Sequence, residues 1–193
     1  MTPPRLIFLA GPNGAGKSTF YESYLQVTGL DFVNADRLTA GLGITNQEAA
    51  TVADQLRLNL LLAGESFITE TVFSDPVGAK LQFLREAMAA GYQVTFYFVG
   101  LTDPGLSGAR VWQRVQAGGH DVPPERLNRR YAQSLENLAV ALTFVPEAHV
   151  FDNSSSAKPF RLVLSTASGV IAYRSNPLPT WLAPVVHDLR CQP

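Results

Sequence analysis

"LIFLAGPNGAGKSTF", residues 6–20, decides the fold. The apolar run before Gly11 is short and bounded by Pro and Gly, so it reads as a buried strand. It leads directly into Gly11, Gly16, Lys17 and Ser18 at the G-x-x-x-x-G-K-[ST] spacing, with Thr19 next. "KSTFYESYLQVTG" then reads as a helix stopped by Gly29. Strand before and helix after is the context that a phosphate-binding loop requires. Glycines at 11, 14 and 16 let successive N–H groups curl inward around phosphate oxygens. The helix opening near Lys17 adds its positive dipole end. Gly11, Pro12, Asn13, Gly14, Ala15, Gly16, Lys17, Ser18 and Thr19 are therefore the nucleotide-binding candidates. Lys17 reaches the β- and γ-phosphates, Ser18 ligates Mg²⁺ and Thr19 lies within reach of the α-phosphate. ATP and Mg²⁺ are the expected ligands.

Outward from the loop, strands and helices alternate. "DFVNADRL" reads as a short strand ending near Asn34 to Asp36. "TNQE" fits a capping box, and Ala49, Val52, Leu56, Leu60 and Ala63 recur behind it at helical spacing. "SFITETVF" is β-rich, Asp75-Pro76 opens a helix that ends at Gly91, and "YQVTFYFVG" is a strong strand. Asp103-Pro104 opens a helix to Gly118-Gly119, and Pro123-Pro124-Glu125 the next, to about Phe144. "AHVFDNSS" reads as a strand leaving into a polar loop, and residues 159–174 as a hairpin turning at Ser168-Gly169. The Pro-rich tail reads as irregular. The expected fold is α/β: one P-loop NTPase three-layer domain over residues 1–193, with a five-stranded, mainly parallel sheet. A helical lid over about 103–130 and a C-terminal β-hairpin complete it.

The bulk numbers narrow the partners. The chain has 193 residues, 46% hydrophobic and 16% charged, with a net charge of -1, so no global charge draws it to nucleic acid or to anionic membrane. No run approaches the roughly 20 apolar residues of a membrane span. The single cysteine, Cys191, forms no internal disulfide or zinc cluster. A cytoplasmic protein is expected. Twelve of the fifteen basic residues are Arg, which suits planar, bidentate phosphate contacts.

A motor or switch NTPase carries an apolar run ending in Asp or Asp-Glu to hold Mg²⁺ and position water. Here "VTFYFVG" ends without an acid, "HVFDN" ends late in the chain with Asp152, and "SFITET" ends with Glu70. The pattern favours a kinase, in which a small-molecule hydroxyl replaces water. Such an enzyme needs a group to orient that hydroxyl and take its proton. Asp36 is the best candidate, because ligands of open α/β sheets gather beyond the strand C-termini. Asp36 also reads as a cap for the following helix. Asn34 and Arg37 flank the same pocket. Glu70 and Thr71, at the end of the third strand, could bind a polyhydroxyl substrate, and Glu70 could hold Mg²⁺ through water.

Between residues 101 and 130 lie Arg110, Arg114, Arg126, Arg129 and Arg130, with His120 after a Gly-Gly pair. On the second of these helices Leu127, Tyr131, Leu135, Leu138 and Leu142 form the apolar stripe. Arg126, Arg130, Gln133 and Asn137 fall on a separate polar face. The pair reads as a lid whose arginines neutralise charge on a transferred phosphoryl group, hinged at Gly118 and Gly119, or as two surface helices with solvated arginines. His120 reads as a phosphate contact or part of the hinge. Asn153 and Ser154, in the loop after the last core strand, are candidates for contacts with the base.

"GPNGAGKST", "FVNADRL", "GESFITETVFS", "RVQAGGHDVPPERLNRRYAQSLENL" and "VFDNSS", in that order, resemble the zeta toxin family of P-loop kinases. The resemblance spans about residues 6–154. It implies an ATP-dependent kinase whose best-known relatives phosphorylate a hydroxyl of UDP-N-acetylglucosamine and are held inactive by an antitoxin. By resemblance Asp36 takes the catalytic-base position, Lys17 and Ser18 the phosphate and Mg²⁺ positions, and Glu70 with Thr71 the acceptor region. Arg110, Arg114 and Arg130 correspond to lid arginines. The competing readings are a nucleotide-binding regulatory protein with little turnover and an RNA- or DNA-end kinase, against which the net charge argues.

Overall fold

A computed structural model describes residues 2–102, 105, 124–187 and 189–191. The strands are β1 (Arg5–Ala10), β2 (Asp31–Val33), β3 (Phe67–Thr71), β4 (Gln93–Gly100), β5 (Glu147–Asp152), β6 (Arg161–Ala167), β7 (Val170–Arg174) and β8 (Arg190–Cys191). They form one sheet in the order β2-β3-β1-β4-β5-β6-β7-β8. The first five are parallel, with β1 between β3 and β4. These are the five expected strands. The hairpin does not stand apart from them: β6 pairs antiparallel with β5, β7 with β6, and the two-residue β8 runs parallel to β7. The single sheet is thus wider than the five strands read from the sequence.

The helices are α1 (Lys17–Phe20), α2 (Ala35–Leu42), α3 (Asn46–Ala63), α4 (Ala79–Ala89) and α5 (Pro124–Leu142). Alternate residues of β1 point to opposite faces and nucleate two cores. Leu6, Phe8 and Ala10 join the larger, in which Phe8 lies 5.6 Å from Phe73 and 5.8 Å from Phe96 between ring centroids. Ile7 and Leu9 join the smaller, with Phe20, Leu25 and Ile68. The helix after the loop widens into a π-turn over Tyr21–Leu25, narrows to a 3₁₀ turn over Gln26–Thr28, and stops at Gly29 (φ 68°) as expected. Thr45 closes its capping box with Glu48.

Three boundaries differ from the sequence reading. Helix α4 begins at Ala79 rather than Asp75-Pro76, with Gly78 at its N-cap and the Lys80 N–H donating to Asp75 Oδ2. The buried face of α3 is Ala49, Ala53, Arg57 and Leu61, not the stripe through Leu56 and Ala63, which are exposed. The tail is not peripheral: Trp181, Leu182, Val185 and Val186 belong to the larger core. The predicted lid helix from Asp103-Pro104 to Gly118-Gly119 lies outside the described residues, whereas α5 carries its predicted stripe, with Leu127, Tyr131, Leu138 and Leu142 buried.

All five parallel strands end at the same sheet edge. The phosphate loop follows β1, Asn34 follows β2, Glu70 and Thr71 end β3, and Asn153 follows β5. The topology therefore gathers the candidate residues beyond the strand C-termini.

Candidate active site

The loop is built on backbone that only glycine supplies. Gly11 has φ 144°, and a Cβ there would stand 2.2 Å from the Val99 carbonyl oxygen. Gly16 has φ 92° and sits against Asn153 and the Phe160 ring. Gly11, Pro12 and Ala15 are buried and form the underside of the loop. Asn13, Gly14, Gly16, Lys17, Ser18 and Thr19 line the cleft above it. A cradle this tight, with a lysine at its rim, fits a polyphosphate.

Lys17 is buried, and its Nζ donates to the Pro12 carbonyl oxygen at 3.2 Å while pairing with Glu70 Oε1 at 3.6 Å. Glu70 Oε2 accepts from Asn34 Nδ2 at 2.7 Å and lies 3.5 Å from Ser18 Oγ. The carboxylate thus sits beside the phosphate loop, in the same cleft as Thr71. Ser18 Oγ and Glu70 together form the hard-oxygen pair that suits Mg²⁺ with its remaining waters. Among the described residues no cluster of three or more His, Cys, Asp or Glu could hold a metal without such help.

Asn34 also caps α2, accepting from the Arg37 N–H at 2.9 Å. The capping role read as an alternative for Asp36 belongs to Asn34. Asp36 lies in the first turn of α2, exposed and lining the cleft. Arg37 is a correction: it does not line the cleft but lies over the Tyr21 and Phe32 rings, 4.9 and 4.8 Å from their centroids, and pairs with Glu22 at 3.8 Å. Asn153 likewise stays out of the cleft. Its Nδ2 donates to the Ala15 carbonyl at 2.8 Å and its Oδ1 accepts from the Phe160 N–H at 3.4 Å, so it braces the loop from beneath.

Helix α5 contributes Arg126, Arg129, Arg130 and Gln133 to the lining of the cleft that Asp36 also lines. Burial and the neighbouring Arg126 and Arg129 charges lower the Arg130 pKa, and the Asp36 charge opposes that shift. Three like charges converging on a partly desolvated space favour an anion between them. Arg110, Arg114 and His120 lie outside the described residues. Asn137, read as part of this polar face, is instead buried, donating to the Phe73 and Asp75 carbonyls.

Sequence reasoning missed Arg57. It lines the cleft from α3 although it is 5% exposed. Its Nε donates to Thr69 Oγ1 at 2.5 Å, its second guanidinium nitrogen to the Glu70 carbonyl at 3.1 Å, and it pairs with Asp54, which also binds Lys80. Burial lowers its pKa and Asp54 partly restores it. The available signal was the alternative i, i+4 row Ala49, Ala53, Arg57 and Leu61, on which Arg57 is the one charged residue. The cleft these residues enclose measures about 1370 Å³. That exceeds the roughly 300–1,000 Å³ of a single-ligand pocket and leaves room for a nucleotide and an acceptor together.

Strand order, loop and facing walls define a P-loop kinase fold. Residues 30–162 match the family model described as Zeta toxin, and the chain belongs to that family. The match begins after the phosphate loop, which the geometry above establishes separately. No curated protein sequence matches the chain. Among solved structures, a chain of the AvrRxo1-ORF1:-ORF2 complex with ATP superposes with TM-score 0.68 at 18% identity, over 86% of this chain and 59% of that one. A chain of the PezAT chromosomal toxin–antitoxin system of Streptococcus pneumoniae gives 0.64 at 17%, over 98% and 79%. One from the Pnkp1/Rnl/Hen1 RNA repair complex gives 0.56 at 18%, over 71% and 46%. The chain spans about 60% of the length of the AvrRxo1-complex chains that it matches. At these identities the likeness is one of fold.

Proposed function

We propose that the protein is an ATP-dependent kinase that transfers the γ-phosphoryl group to a hydroxyl of a small molecule, a nucleotide sugar such as UDP-N-acetylglucosamine or a related metabolite. The observation that carries this is one cleft lined by Lys17, Asp36 and Arg130 together. The loop N–H groups and Lys17 hold the β- and γ-phosphates. Asp36 accepts a hydrogen bond from the acceptor hydroxyl and aims it at the γ-phosphorus. As the new O–P bond forms and the bond to ADP breaks, the hydroxyl proton passes to the Asp36 carboxylate. Arg126, Arg129 and Arg130 neutralise charge on the moving phosphoryl. Mg²⁺, held by Ser18 and through water by Glu70, would supply charge neutralisation at the β- and γ-oxygens. Thr71 and Asn34, which both line the cleft, bind the acceptor.

Membership of the zeta toxin family and the PezAT likeness support a protein antitoxin as partner. No described helix is long and apolar enough to cross a membrane. The direct test is ATP–Mg²⁺ incubated with a panel of nucleotide sugars and other small hydroxyl compounds, read by mass spectrometry. Gain of one phosphoryl by a single acceptor class supports the proposal. ADP formation with no acceptor modified contradicts it.

A further inference from the structure

Residues 72–75, between β3 and α4, line the cleft beside Thr71. Phe73 there adopts φ 62°, a conformation disfavoured for a bulky side chain, with its ring fully buried 5.6 Å from Phe8 and 5.4 Å from Phe96. Backbone in such a region persists only where its surroundings over-determine it. The restraint comes from α5. Both amide hydrogens of Asn137 are used on this loop, 2.9 Å from the Phe73 carbonyl oxygen and 3.0 Å from that of Asp75. Ser134 Oγ lies 2.8 Å from the Val72 carbonyl oxygen and 2.7 Å from that of Arg130, so its one hydrogen serves either. Both side chains are buried. One turn to three turns away on the same helix, Arg130, Arg129 and Arg126 enter the cleft.

We infer that Asn137, with Ser134, is a positioning pair that makes the cleft-lining loop 72–75 and the arginines of α5 move as one unit, so that engagement of phosphate by the arginines also sets the acceptor wall. The inference rests on the nucleotide-binding reading above for its trigger, but the clamp is a property of the free chain. Asn137 is buried and is not among the cleft-lining residues, its two amide hydrogens being spent on the loop and its Oδ1 lying 3.4 Å from Gln133 Nε2. It acts through the loop alone. Coupling through a single helix is a physical connection between two walls of one site, not a correlation.

Amide hydrogen exchange on the full chain, with Mg²⁺ and AMP-PNP as the probe, tests this. In the native chain the nucleotide protects residues 11–19 and residues 72–76 together. In Asn137→Leu, protection of 11–19 persists while nucleotide-dependent protection of 72–76 falls by about fivefold or more, and exchange there is already faster without nucleotide. Ala141→Gly weakens the same helix without touching the loop and keeps both responses, which separates positioning from general destabilisation. Unchanged loop protection in Asn137→Leu, or its equal loss in Ala141→Gly, overturns the inference. A native chain in which neither segment responds overturns nucleotide binding and the coupling with it. The comparison of free-chain exchange at 72–76 then decides the clamp by itself.

Discussion

Lys17 and Glu70 meet 3.6 Å apart, both buried, one from the helix that follows β1 and the other from the end of β3. The pair fixes the Lys17 amine beside the loop and ties the loop to the end of β3. Removing one partner leaves the other charge buried with reduced compensation. Lys17→Ala is expected to weaken binding of an ATP analogue by about tenfold or more, equivalent to ~1.4 kcal/mol, in isothermal titration calorimetry. Unchanged affinity would show that the loop does not use its lysine.

Gly11 cannot be replaced. A methyl group there would lie 2.2 Å from the Val99 carbonyl oxygen, on backbone at φ 144°. Gly11→Ala should lose nucleotide binding and lower the melting temperature, both readable in one thermal-shift series with and without Mg²⁺–ATP. Normal melting with normal nucleotide stabilisation would mean that β1 and β4 separate more easily than the contact implies.

Arg57→Leu keeps the volume of the stem but removes the donors to Thr69 Oγ1 and the Glu70 carbonyl. Leaving buried acceptors unpaired costs about 1–3 kcal/mol, which urea denaturation should show. Nucleotide affinity should fall as well, because the strand end carrying Glu70 loses its brace. A variant as stable as the native chain would assign Arg57 to ligand contact alone.

How much of this could be read from the chain depends on how local each signal is. The phosphate loop is nine consecutive residues, its glycines adopt positive φ, and its lysine and serine line the cleft. The parallel strands follow from short apolar runs separated by helical periods. Arg57 was hidden because an apolar-stripe reading places Leu56 and Leu60 inward, whereas the Thr69 hydroxyl and the Glu70 carbonyl call for a guanidinium one position on. Arg37 was read as a pocket residue and Asn137 as part of an open polar face because polarity is visible in a sequence and partners are not. Arg37 is claimed by Tyr21 and Phe32 and Asn137 by two loop carbonyls, all from other elements. The hairpin was visible as two strands, but its pairing with β5 depends on a register that no local pattern encodes.

Acid should expose the α3 cap. The Thr45 backbone N–H and hydroxyl donate to Glu48 Oε2 at 2.8 and 2.7 Å and lower the Glu48 pKa below the ordinary carboxyl value. A depressed folded-state value means that its contribution is complete above the unfolded value of about 4.3 and is lost as pH falls through the folded one. The melting-temperature difference between native and Glu48→Gln chains should therefore be constant from about pH 7 to 5 and shrink as the pH falls below the unfolded value. A difference that persists at the acid end would assign it to something other than this ionisation.

In the proposed mechanism Asp36 is the residue that separates phosphoryl transfer from nucleotide holding alone. The decisive measurement is phosphoryl transfer from ATP–Mg²⁺ to the acceptor panel, by native and Asp36→Asn chains, with ATP-analogue affinity measured on the same samples. The expected result is a phosphorylated acceptor from the native chain, loss of about 10²-fold or more of that activity in Asp36→Asn, and unchanged nucleotide affinity. Transfer at the native rate by Asp36→Asn would contradict the role of Asp36, and nucleotide bound with no acceptor phosphorylated by the native chain would contradict the kinase assignment.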